Sequence, residues 1–124
     1  MSGSRVGLVV SWTSDLFLRS RIGELAGSLG LTTLFVSDIK ELRELVSQRT
    51  MLMILDLASD EYDPIAVVKT LKEEWPRLLV LGFYPHVRKD LEAKAKDAGV
   101  DFVVPNSSFL KSLRKILETW VDKS

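Results

Sequence analysis

Apolar residues alternate along this chain between short continuous runs and stripes at helical spacing. Met51-Leu52-Met53-Ile54-Leu55 is an unbroken apolar run that ends on Asp56. It is too short to cross a membrane and too uniformly apolar for a half-exposed strand. The pattern predicts a central strand over 51–55, closed by Asp56 and buried on both faces of a parallel sheet. Residues 6–10 (VGLVV), 31–36, 78–83 and 101–104 predict four more strands. Between them the period changes to that of a helix. Leu18, Ile22, Leu25 and Leu29 form a first stripe that stops at Gly30, with Thr13 or Ser14 as the expected cap. Ile39, Leu42 and Val46 form a second, opened by Asp38 and Glu41 at capping-box spacing. Asp63-Pro64 opens a third helix with buried face Ile65, Val68, Leu71 and Trp75, ended by Trp75-Pro76. Val87, Leu91, Ala95 and Ala98 trace a thin fourth stripe closed by Gly99. Leu110, Leu113, Ile116, Leu117, Trp120 and Val121 define the last helix, capped by Ser107 or Ser108.

Five strand–helix units joined by short connections imply a parallel sheet covered by helices on both faces. The expected fold class is α/β: a flavodoxin-like (βα)5 three-layer sandwich with strand order 2-1-3-4-5, the order being taken by analogy. Its switch point between strands one and three would gather Trp12, Asp56 and the residues after Leu81 around one crevice. The 124 residues form a single domain. Met1-Ser2-Gly3-Ser4 reads as a flexible start.

Composition narrows the function classes. Seventeen basic residues balance seventeen acidic ones, which argues against a general nucleic-acid binder. With no cysteine and one histidine, disulfides, Cys-based zinc sites and His-rich metal sites are ruled out. No apolar stretch has membrane-span length and no signal peptide is visible. The chain reads as cytoplasmic, without membrane association. His86, next to Pro85, has no nucleophile pattern to serve and reads as an exposed loop residue. No residue set points to an enzyme, a metal site or a cofactor.

The chain resembles the receiver domain of two-component response regulators. The likeness rests on the five βα units, on Asp56 closing the third strand, and on 95–105 (AKDAGVDFVVP), which is similar to the family's Ala-Gly-Ala-Asp turn and Lys-Pro step. The resemblance implies that Asp56 is the phosphoacceptor equivalent. It also implies an acidic pair after the first strand to hold Mg²⁺, a Thr or Ser after the fourth strand, and a Lys before the late Pro. Here Ser11 and Trp12 stand in place of the acidic pair and Gly82 in place of the hydroxyl. The Lys position falls on Val104, or is lost to a one-residue gap. The expectation is a degenerate pocket, with Trp12 lying over the crevice in place of the metal. Asp15 is the nearest substitute metal ligand, if the first loop folds back.

Three functions follow as expectations. The first is a pseudo-receiver, a signalling or scaffolding module that binds a protein partner without Mg²⁺-dependent phosphorylation. The second is a receiver phosphorylated on Asp56. The third is a small flavodoxin-like ligand binder, suggested by the hydroxyl-rich Ser11-Trp12-Thr13-Ser14 but lacking the glycines of a phosphate loop. Plainer readings stand beside these. Asp56 accepts N–H groups of its own turn. The run Asp60-Glu61-Tyr62-Asp63 is a solvated loop with Asp63 as helix cap. Phe102, the equivalent of the family's switch aromatic, keeps one rotamer. Lys111, Arg114 and Lys115 form a solvated face, or, as the family implies, Lys111 and Arg114 rim a homodimer or partner surface on the fourth and fifth helices.

Overall fold

The computed structural model describes residues 7–123. In chain order the elements are β1 (Leu8–Trp12), α1 (Leu16–Ser28), β2 (Thr32–Phe35), α2 (Ile39–Leu45), β3 (Thr50–Asp56), α3 (Pro64–Glu74), β4 (Leu79–Tyr84), α4 (Lys89–Ala98), β5 (Phe102–Pro105), a 3₁₀ turn (Asn106–Ser108) and α5 (Phe109–Lys123). The strands form one five-stranded sheet of order β2-β1-β3-β4-β5 with every pair parallel. The expected architecture and strand order are therefore found. Strand ends move by a residue or two from expectation: β1 runs on through Trp12 and β4 through Tyr84. Val6 and the Met1–Ser4 start lie outside the described residues.

Alternation of side chains sends the two faces of each strand into separate cores. On one face Val9, Leu52, Ile54, Leu81 and Phe83 meet Ile22 and Leu25 of α1 and Phe109, Leu113 and Leu117 of α5. On the other, Val10, Met53, Leu55 and Val80 meet Leu42 of α2, Val68 and Leu71 of α3 and Ala95 of α4. Strand β3 contributes to both and is buried from Thr50 through Leu55. Each fully buried Leu or Ile there stabilises the fold by roughly 1.5–3 kcal/mol.

Caps set where the helices begin. Asp63 Oδ1 accepts from Ala66 N at 3.2 Å with Pro64 following it, as the Asp-Pro step requires. Asp38 Oδ1 accepts from Glu41 N at 2.8 Å. The returning Glu41 carboxylate, however, takes Ser37 N and Ser37 Oγ, one residue before the usual capping-box partner. Gly99 ends α4 at φ 104°, a left-handed conformation that glycine adopts without a Cβ clash.

Four expectations are corrected. The cap of α1 is Asp15, whose Oδ1 accepts from Leu18 N at 3.0 Å, and neither Thr13 nor Ser14; Thr13 is buried and bonded to Ser11. Neither Ser107 nor Ser108 starts α5: both lie in the 3₁₀ turn, and Ser108 Oγ donates back to Pro105 O. Ile39 and Val87 leave their helical stripes for solvent, because α2 starts at Ile39 and α4 starts only after Val87. On α3, Pro64 and Val67 are buried while Ile65 and Trp75 sit at the rim.

Candidate functional site

The carboxyl ends of β1, β3 and β4 define the crevice at the switch point. Register places Trp12 beside Leu55, Leu55 beside Gly82, and Asp56 beside Phe83. Asp56 stands at the mouth, half-buried, and its Oδ1 accepts from Ala58 N at 2.9 Å. Burial pushes its carboxyl above the ordinary carboxylate range, and Asp15, Asp60 and Glu61 push in the same direction; the Ala58 N–H only partly opposes them. Among the described residues no Lys, Arg or His pairs with Asp56. The local field is therefore set against further negative charge.

Three side chains pack at the strand ends beside Asp56. Trp12 is buried under Tyr62, their rings stacked with centroids 4.0 Å apart and planes at 25°. The Tyr62 hydroxyl donates to Trp12 O at 2.8 Å and accepts from Asp56 N at 3.0 Å. It thereby supplies the ladder rung that β1, which ends at Trp12, does not. Burial drives the Tyr62 phenol far above its ordinary range, so it stays protonated and keeps donating. Leu57, the third group, follows Asp56 directly and continues the ladder through Leu57 N to Phe83 O at 2.9 Å. Its branched end lies over Gly82, where a Cβ would meet Leu57 Cδ1 at 2.7 Å and Cδ2 at 2.8 Å. Any larger residue at this rung would require Leu57 to shift.

The remaining positions expected in the pocket are placed as follows. Ser11 is wholly buried, and its Oγ shares a 2.7 Å hydrogen bond with Thr13 Oγ1. Val104 pairs with Phe83 in register and packs into the α1/α5 core, as does Phe102. Lys111 and Arg114 are exposed on α5, with Arg114 reaching Glu118 at 3.9 Å. Trp12 and Gly82 thus face the α2–α4 side with Leu57, whereas Ser11, Phe102 and, by strand alternation, Asp56 lie on the side of α1 and α5. Leu57 and Tyr62 were missed from sequence. An apolar residue directly after the strand-end Asp, and a tyrosine inside the acidic loop, are the signals that pointed to them.

A Mg²⁺ ion of the kind that receivers hold does not fit these residues. Ser11 is consumed by Thr13, Trp12 by Tyr62, and Asp15 Oδ1 by the cap of α1. No group of three or more His, Cys, Asp or Glu side chains among the described residues is placed to hold a metal ion. No helix among them is long and apolar enough to cross a membrane.

No family model and no curated protein matches the sequence. Solved structures do match. A response regulator from Thermotoga maritima superposes with TM-score 0.77 at 16% identity, covering 94% of this chain and 98% of its own. The phosphorylated cyanobacterial phytochrome response regulator RcpA gives 0.78 at 18% identity, covering 96% of both chains. This chain has the receiver fold. A further receiver structure, the beryllofluoride-activated NtrC4 receiver domain dimer, gives 0.74 at 16% identity, covering 91% of this chain and 98% of that one. Identities this low carry the fold alone.

Proposed function

We propose that the chain is an atypical receiver-like module that signals or scaffolds through protein–protein contacts, without Mg²⁺-dependent phosphorylation of Asp56. The observation that carries this reading is the Leu57 side chain packed over Gly82 at 2.7–2.8 Å from a would-be Cβ. Phosphoryl transfer to a carboxylate concentrates negative charge and needs preorganised positive groups and donors to receive it. Gly82 carries no hydroxyl and Leu57 packs over it, Trp12 stands where the resemblance implies an acidic residue and stacks on Tyr62, and Asp15, Asp60 and Glu61 raise the charge already present. Losing one such donor typically costs about 3 kcal/mol of barrier.

A partner role is supported by the apolar surface near this end of the molecule. Leu16 is 76% exposed, Phe17 64% and Val87 74%, and large exposed apolar side chains mark contact surfaces when they gather. The NtrC4 relative is a dimer, and for this chain we assign self-association to α4 and α5 with Lys111 and Arg114 at the rim.

The deciding experiment is incubation with Mg²⁺ and a small-molecule phosphodonor, followed by intact mass. The expected result is an unchanged mass. A stoichiometric gain of one phosphoryl group that Asp56→Asn abolishes would establish the phosphoacceptor function instead.

A further inference from the structure

At the β5 edge of the sheet, two strands from Asp56, a groove of about 480 Å³ opens between β5 and the carboxyl-terminal half of α5. Helix α5 already packs Phe109, Leu113 and Leu117 against the sheet. A second stripe on the same helix, Lys115, Ile116, Thr119 and Trp120, follows i, i+1, i+4, i+5 spacing and lines the groove opposite Phe102 and Val104. Trp120 is 42% exposed, which is high for so large an apolar ring. The other sheet edge differs: on β2 the Phe35 ring is covered by the Arg19 guanidinium at 4.8 Å.

The lining defines the chemistry of what fits. Its floor is aliphatic and aromatic, its size is that of a small-molecule site, and Lys115 is its one charged group. No carboxylate among the described residues pairs with Lys115. An apolar body would displace water from Phe102, Val104 and Ile116, and one anionic group at the rim would meet the ammonium. A dianion would find no second cation in the lining, and a neutral molecule would leave Lys115 unused. A second hollow of about 410 Å³ shares Leu79 and Trp120 with the first but is lined by Glu74 and Arg77 as well, so the apolar floor ends where the two meet.

We propose that the β5–α5 groove is a binding site for a small apolar monoanion, held by Phe102, Ile116 and Trp120 and oriented by Lys115. The site lies away from the crevice and does not depend on whether Asp56 accepts a phosphoryl group.

The test titrates the full chain with anilinonaphthalenesulfonate, an aromatic monoanion, and in parallel with phenylnaphthylamine, its uncharged counterpart. Amide chemical shifts locate each probe, and near-ultraviolet circular dichroism checks that the fold is retained. The expected result is saturable binding of the anion with shifts centred on Phe102 and Ile116. Lys115→Glu should weaken the anion about fivefold, the scale of an exposed charge contact turned to repulsion, and leave the neutral probe unchanged. Trp120→Ala should weaken both. Absence of saturable binding, shifts centred elsewhere, or equal effects of Lys115→Glu on both probes would overturn the proposal. So would release of the probe as protein concentration rises, which would assign the groove to a second copy of the chain.

Discussion

A methyl group added at Gly82 must enter space already held by the branched end of Leu57, 2.7–2.8 Å away. Overpacking of this kind costs about 1–3 kcal/mol, and trimming Leu57 alone costs about 2–5 kcal/mol through the cavity left behind. The two losses share one volume, so Gly82→Thr combined with Leu57→Ala should be less destabilised than the sum of the single variants. Urea midpoints at constant m-value measure this, and strict additivity would mean that the contact is not as described. Asp56 gives a second prediction at this scale. Its carboxyl is raised above 3.8 mainly by burial, so the folded state binds the proton more tightly than the unfolded chain. Stability is then lost as pH rises from 3.8 through the folded value. Asn keeps the acceptor for Ala58 N–H without the charge. Asp56→Asn should therefore stabilise the protein modestly at neutral pH, with the gain vanishing below pH 3.8. Thermal midpoints across that range check the sign.

Among the elements, α3 shows what is written locally in a chain and what is not. Its start was legible because Asp63 and Pro64 are adjacent and act on the backbone beside them. The end of α1's lead-in loop was misread because Thr13, Ser14 and Asp15 all suit a cap, and the choice was made by Ser11, which takes Thr13. Stripes near helix starts failed for a related reason: periodicity places Ile39 and Val87 on a face but cannot say where the helix begins. The pocket was legible only as a set of substitutions. Leu57 and Tyr62 act across the fold, one on β4 and the other on β1, and neither partner is near in sequence. A similar long-range tie was unread in α3 itself. Lys72 Nζ donates to Leu78 O and to Asp101 Oδ2, both at 2.7 Å, while Asp101 Oδ2 also accepts from Val80 N at 2.8 Å. This clamp fixes α3 to the starts of β4 and β5. Asp101→Ala should destabilise by about 1–3 kcal/mol because it leaves partly buried donors unpaired. A chemical denaturation midpoint equal to that of the parent would exclude the clamp as a stabilising feature.

At the scale of the whole molecule, association and chain order remain. In the proposed self-association through α4 and α5, Lys111 and Arg114 stand at the rim, where charge steers and orients partners. Reversing both to Glu should weaken any dimer in sedimentation equilibrium and make its salt dependence shallower; an unchanged profile would move the interface elsewhere. The strand order has its own consequence for how the molecule is made. Because β1 lies between β2 and β3, the first three strands wind into a unit around the amino-terminal strand, and β4 and β5 are added outward from β3. A chain emerging from the ribosome can therefore assemble most of its central ladder before its last two strands exist. The Tyr62 rung is expected to form after that ladder, since its hydroxyl bridges the ends of two paired strands. Pulse-labelled amides of β1 and β3 should gain protection first, and the crevice should seal only afterwards, as a late step of folding and not as its nucleus.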